Sequence, residues 1–265
     1  MVPPRIMIDT HVHTYFSFDS DAGLDGVVES ARALGLEFLA VTDHVDFLYS
    51  GTEFRMWDKE DFFFQIARRK EYAPFLVAGV EAGYTKKGEQ ENAALVADTR
   101  FGYVINSVHE VGTLDPYFPE YFIGKDRLTA YSDYLTAVRA SLDAPYYYST
   151  VGHLGYVTRK SPYPVTEMDL ETFGDAVDDI LLTIIRKDKI LEVNSAAYRH
   201  GGFMPDREIL ARYRALGGKL VTFASDAHSP AVIGNKYAAA VEMLSDLGFT
   251  EWAVTVDRKI KTFAF

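Results

Sequence analysis

Ile6-Met7-Ile8 runs without a break into Asp9-Thr10-His11-Val12-His13. A short β-rich run that ends in polar, ligand-type residues is the unit from which the fold is read. It recurs at Phe38-Leu39-Ala40-Val41 before Thr42-Asp43-His44, at 75–80 before Glu81, and at 103–108 before His109. It returns at 147–151 before Gly152-His153, at 190–193 before Asn194-Ser195, and at 220–224 before Ser225-Asp226-Ala227-His228. Runs this continuous in apolar residues are expected of strands buried on both faces.

Between them lie stretches with apolar residues at helical spacing: 24–34, 58–72, 126–142, 168–187, 205–216 and 237–247, with a weaker candidate at 85–100. Seven β-α alternations argue for a parallel sheet. With no linker between units, a closed barrel is favoured over an open sheet. Residues 253–256 are read as an extra edge strand. The stretches 45–57 and 111–125 are read as long loops at the C-terminal ends of strands, where barrels keep their active sites.

The composition excludes several chemistries. There is no cysteine, which removes disulfides, zinc–thiolate sites, iron–sulfur clusters and cysteine nucleophiles. The 38 acidic residues outnumber 27 basic ones, for a net charge of −11, so a nucleic-acid partner is not expected. No apolar run is long enough to span a membrane and no signal peptide is evident, so a cytoplasmic protein is expected. At 265 residues with 48% apolar content, one ordered domain is expected over 1–265.

Six of the seven histidines sit just past a strand-like run: His11, His13, His44, His109, His153 and His228. Glu81 and Asp226 occupy the same station. One such histidine means little, but in a parallel barrel all these positions converge on one end. Imidazole and carboxylate without thiolate suit zinc, manganese or iron(II), and so many ligands imply two or three ions. Residues two apart on an extended chain point the same way, so His11 and His13 can share one ion.

These motifs carry a family resemblance. The stretch from Asp9 to Asp19 is similar to the first motif of the polymerase-and-histidinol-phosphatase (PHP) superfamily of metal-dependent phosphoesterases. Thr42-Asp43-His44 resembles its second motif, Ser107-Val108-His109 its third, and Ser225-Asp226-Ala227-His228 its fourth, with Glu81 and Gly152-His153 where that family places further ligands. The resemblance implies a distorted (β/α)7 barrel with a trinuclear site. One ion would be held by His11, His13, Glu81 and Asp226, a second by Glu81, His109 and His153, and a third by Asp19, His44 and His228. Size, the absence of an appended domain, the stretch 121–126 and the pair Asn194 and Arg199 make the histidinol-phosphate phosphatases the most similar branch.

The expected reaction is hydrolysis of L-histidinol phosphate by a hydroxide generated between two metals. Glu81, Asp226, Arg159 and Arg199 form the expected catalytic set, and Arg159, Arg199, Asn194 and His44 the expected substrate contacts. A phosphate favours bidentate guanidinium groups beside its metals. Asp46, Glu110, Asp115 and Glu120, with Phe47, Tyr49, Tyr117, Phe118 and Phe122, could receive a cationic leaving group. The alternatives are a PHP phosphoesterase for a nucleotide or oligonucleotide end, or a non-catalytic metal-binding module. Two rival phosphatase motifs fail on context: Asp19-Ser20-Asp21 follows no apolar strand, and Arg199-His200-Gly201 lies far from the first strand.

Overall fold

The computed structural model describes residues 7–47, 49, 56–196 and 202–265. Seven parallel strands follow one another around the sheet: β1 (Ile8–Val12), β2 (Phe38–Val41), β4 (Leu76–Gly83), β5 (Tyr103–Ser107), β6 (Thr150–Val151), β7 (Ile190–Asn194) and β8 (Val221–Ala224). A short β3 (His44–Val45) also pairs with β4 and sets His44 opposite Glu81. Between β8 and β1 there is no full ladder. The seam is closed by the bridge Val12–Ala227, by His13 N–H donating to Ala227 O (2.8 Å), and by Asp9. The Asp9 carboxylate accepts from the Ser225 and Gly234 amides, each at 2.9 Å. The result is a nearly closed, distorted (β/α)7 barrel.

The helices fall where the apolar spacing predicts them. The outer layer comprises α1 (Leu24–Leu34), α2 (Lys59–Lys70), α3 (Glu89–Val96), α4 (Arg127–Ser141), α5 (Leu170–Arg186), α6 (Arg207–Ala215) and α7 (Tyr237–Asp246). In α5, Phe173, Val177, Ile180, Leu181 and Ile184 are buried, the stripe expected of a helix lying on a sheet. Four helices begin on an aspartate whose side chain accepts from backbone amides of the first turn: Asp58, Asp126, Asp169 and Asp206. Helix α1 ends at Gly35, whose φ of 75° is a left-handed turn that glycine adopts without a Cβ penalty.

Two readings change. Strands β1 and β4 run further than their apolar runs, so His11 and Glu81 lie within strands rather than beyond them. Their polar side chains face the barrel's polar end and are bonded there. The segment at 253–256 does not extend the barrel. It belongs to β9 (Glu251–Val256), which pairs antiparallel with β10 (Lys259–Ala264) in a separate two-stranded sheet. Thr255 and Arg258 of this hairpin donate to the carbonyls of Gly102 and Phe101, beside the start of β5. The hairpin therefore packs at the barrel end opposite the histidines.

Asp169 offers a clean stability test. It accepts from Thr172 N–H (2.8 Å) and pairs with Arg127 (2.7 Å). The Thr172 hydrogen bond first, and Arg127 with it, outweigh the opposing effect of burial and hold its carboxyl at about 2. Asp169→Ala is expected to cost about 1 kcal/mol, a fall in Tm of about 2–4 °C for a chain of this size, with activity unchanged. A depressed carboxyl stabilises fully above its unfolded value, near 3.8, and loses that contribution as pH falls through about 2. The difference between variant and wild type should therefore vanish in acid unfolding curves.

Candidate active site

Nine side chains from six strand ends and one loop meet at the C-terminal mouth of the barrel. His11 and His13 come from the end of β1, Asp19 from the loop beyond it, and His44 from β3. Glu81 comes from β4, His109 and His153 from just past β5 and β6, and Asp226 and His228 from just past β8. The imidazoles form a continuous cluster, with centroids 4.0 Å apart for His13 and His228, 4.3 Å for His13 and His44, and 4.9 Å for His11 and His13. His109 and His153 stand 5.2 Å apart. His11, His13 and Glu81 have no exposed surface, whereas Asp19 is exposed at the mouth.

Their outward partners decide which atoms face inward. The Glu192 carboxylate can only accept, so His11 Nδ1 donates to it (2.9 Å) and His11 Nε2 faces the cluster. His109 Nδ1 likewise donates to Asp46 (2.8 Å). His228 Nδ1 donates to the Asp226 carbonyl (3.0 Å), and His13 Nδ1 donates to Ser17 Oγ (2.9 Å). Ser17 in turn donates to Asp43 (2.7 Å), which also accepts from the amide and hydroxyl of Thr14. Four imidazoles are thereby set with Nε2 turned to one space.

Several inward atoms are buried and make no hydrogen bond: Nε2 of His11, His13 and His228, Nδ1 of His44, and Oε2 of Glu81. They crowd one another nonetheless. His11 Nε2 is 3.1 Å from Glu81 Oε2, His13 Nε2 is 3.2 Å from Asp226 Oδ1, and His228 Nε2 is 3.1 Å from Asp19 Oδ2. Three overlapping triads have ligand atoms within 4.8 Å of one another: His11, His13 and Asp226; His44, Glu81 and His109; and His13, His44 and His228. Lone pairs that converge without a donor are the geometry of cation binding, and imidazole with carboxylate is a fitting donor set for divalent metals.

The electrostatics agree. Burial alone would raise Glu81, but His11, His109 and His44 outweigh it and hold the carboxyl well below its usual range. Burial would likewise raise Asp226, and His11, His13 and Arg159 reverse it. Burial pulls His44 down, yet Glu81 and Asp46 lift it to about 9. His13 goes the other way. Burial and then its neighbours His228 and His44 press it well below its ordinary value, so it stays neutral. The carboxylates call for positive charge that His13 does not carry; without an ion it falls to His11, His44 and His109, each raised, despite burial, by neighbouring carboxylates.

Asp19, His44, Glu81, His109, His153, Asp226 and His228 of the cluster line a cavity of about 760 Å³. Arg159 lines it, 3.4 Å from Asp226 and above the Tyr117 ring at 5.7 Å. Of the loop residues considered for a leaving group, Asp46, Asp115, Tyr49, Tyr117 and Phe118 line the cavity. Glu110 instead pairs with Lys87 (3.1 Å), Phe122 is buried in the core, and Glu120 is exposed outside the cavity lining. Tyr156 and Lys236 line the cavity without having been singled out.

Asn194 requires a correction. It has no exposed surface. Its amide donates to Glu192 (2.8 Å) and Asp226 (3.4 Å), and its oxygen accepts from Ala196 N–H. With every polar atom engaged inside the protein, it braces Glu192 and Asp226 and does not line the cavity. Arg199 lies outside the described residues. Sequence reasoning missed Glu192 and gave Asp43 no role. The available signal for Glu192 was an acid in the middle of an apolar strand, Ile190-Leu191-Glu192-Val193.

A barrel with a histidine-rich cation site at its C-terminal mouth defines a metal-dependent hydrolase of the PHP type. The chain matches the PHP domain over residues 9–196, and it belongs to that family. Asp226 and His228 lie beyond the matched span. Histidinol-phosphatase from Lactococcus lactis subsp. lactis is 29% identical over 262 residues, 96% of each chain. A probable histidinol-phosphatase from Clostridium acetobutylicum is 26% identical, covering 90% of this chain and 92% of that one. Among solved structures, a histidinol phosphate phosphatase from Lactococcus lactis in complex with Zn, L-histidinol and phosphate superposes with a TM-score of 0.86. That match has 27% identity and covers 96% of this chain and 98% of the other.

Proposed function

We propose that this protein is a metal-dependent phosphoric monoester hydrolase that converts L-histidinol phosphate to L-histidinol and phosphate. The observation that carries this reading is the cluster of unpartnered Nε2 and carboxylate atoms beside Arg159, at the mouth of a barrel shared with histidinol-phosphatases. Its ligand sets are those expected above: His11, His13, Glu81 and Asp226; Glu81, His109 and His153; and Asp19, His44 and His228. Two to three divalent ions fit these donors. Zinc is the ion in the related complex, and manganese or iron(II) suits the same ligands. Because Asp226 and His228, just past β8, meet His11 and His13 of β1, we read residues 1–265 as one domain.

Bound divalent ions supply Lewis acidity toward the phosphoryl oxygens and toward a water nucleophile. The chain's own residues do the rest. Glu81 belongs to two sets, so its carboxylate would hold ions in both. The Arg159 guanidinium lies over the cavity and neutralises charge that builds on the phosphoryl oxygens. Arg199 is assigned to the same task. Asp115, Tyr49 and Tyr117 form an acidic, aromatic recess suited to an ammonium and an imidazole. A nucleotide gains little there, and the net charge of −11 repels nucleic acid. No helix among the described residues is long and apolar enough to cross a membrane. We place the reaction in the cytoplasm.

In a phosphomonoester screen, L-histidinol phosphate is expected to exceed AMP and p-nitrophenyl phosphate in kcat/KM by at least about 100-fold. Comparable values would overturn the substrate and leave the metal site standing. Elemental analysis should find two to three divalent ions per chain, and His11→Ala or Glu81→Ala should lose metal together with rate. Full activity with less than one ion per chain would sink the metal reading.

Arg159→Met separates phosphate binding from metal binding. It should keep the metal content and lose about 2–4 kcal/mol in kcat/KM, roughly 30- to 1000-fold. A near wild-type value would make Arg159 a mere partner of Asp226.

Gly83→Ala probes the support beneath His109. A Cβ there would lie 1.8 Å from Asp46 Oδ1, so the carboxylate must swing away from His109. A fall in kcat of about tenfold or more is expected. Unchanged kcat would mean that Asp46 does not orient His109.

A further inference from the structure

Glu192 has no exposed surface, yet it carries a carboxylate in the interior of the barrel on β7. Its two oxygens serve three donors from three different places in the chain. Oε2 accepts from His11 Nδ1 on β1 (2.9 Å). Oε1 accepts from the backbone amide of His153 past β6 (3.1 Å) and from the Asn194 amide on β7 (2.8 Å). The other reach of Asn194 is to Asp226 past β8 (3.4 Å). One carboxylate thus touches or reaches three of the residues grouped around the cation site. An apolar side chain would fill this volume at less cost, because buried carboxylates are expensive to desolvate. A carboxylate here is therefore explained by what it orients.

The orientation is chemically specific. Because Glu192 Oε2 only accepts, the proton of His11 is kept on Nδ1 and the lone pair on Nε2, the atom that faces Glu81 and Asp226. We propose that Glu192 is a positioning residue for the metal centre, holding His11 in its ligating tautomer and tying it to His153 and Asn194. This rests on the reading of His11 as a metal ligand.

The glutamine isostere makes the proposal testable. In Glu192→Gln, the side-chain oxygen must stay with the two donors that share Oε1, the His153 and Asn194 N–H groups. The new NH2 then points at His11 Nδ1. His11 must accept there, which moves its proton to Nε2 and blocks the ligating atom. Shape and packing barely change. A role confined to bracing the barrel would survive this substitution, whereas a tautomer-setting role would not.

Zinc affinity and stoichiometry are measured on the full chain by competition with a chelator, for wild type, Glu192→Gln, Glu192→Asp and His11→Ala. The metal-free melting temperature is recorded for each. Glu192→Gln is expected to melt within about 3 °C of wild type and to lose about 10- to 100-fold in affinity at one site. Glu192→Asp keeps an accepting carboxylate and should recover part of the loss. Wild-type zinc affinity in Glu192→Gln, with His11→Ala defective, would overturn the role of Glu192 alone. A full, tight zinc complement in His11→Ala would overturn the ligand reading beneath it. Should Glu192→Gln fail to fold, Glu192→Asp decides. Affinity clearly above that of His11→Ala supports the proposal, and affinity as low as His11→Ala overturns it.

Discussion

A carboxylate with no solvent contact is stable only where positive charge or strong donors surround it, and Glu81 is such a group. Its Oε1 accepts from Ser107 Oγ (2.7 Å) and lies 2.8 Å from His153 Nε2 and 3.1 Å from His109 Nε2. Its Oε2 faces His44 and His11 and has no hydrogen bond. Everything else at the barrel mouth is arranged around this charge. The histidines approach because β1, β3, β5 and β6 end there, and His11, His13 and His109 leave Nε2 inward because Nδ1 is occupied.

That occupation comes from a ring of acceptors just outside the cluster. Glu192 serves His11, Asp46 serves His109, Ser17 serves His13, and the Asp226 carbonyl serves His228. Asp43 stands one step further out and holds Ser17 and Thr14 together, which fixes the turn after β1. These supports are themselves buried. Most of the cluster also lines the cavity, with His11 and His13 behind it. Asp19, His228 and Arg159 reach the cavity from the more open side, while Asp115 and Tyr117 face it from a loop.

Much of this was legible in the chain before folding. Short β-rich runs, most of them followed by His, Asp or Glu, announced parallel strands with polar residues at one end. The helices followed from apolar spacing, and α5 and α1 occupy almost the spans expected. What the residue pattern misjudged was local. The run at 253–256 has strand composition, but composition does not name a partner, and it pairs with β10 instead of the barrel. Asn194 stands at a strand end like the ligands, yet its neighbours turn it inward.

The order of elements, the absence of thiolate chemistry and the identity of the donors at the strand ends were determined by the sequence, because periodicity and residue type act over short range. The hydrogen-bond partners of the histidines and the contacts of Glu192 were decided only by the tertiary structure. His11 and Glu192 are 181 residues apart, and Asp9 and Ser225 are 216 apart. Such partners meet only when β1 returns to β8 and the barrel nearly closes. Whether a buried polar group orients a ligand or binds a substrate depends on which lone pairs remain free after that closure.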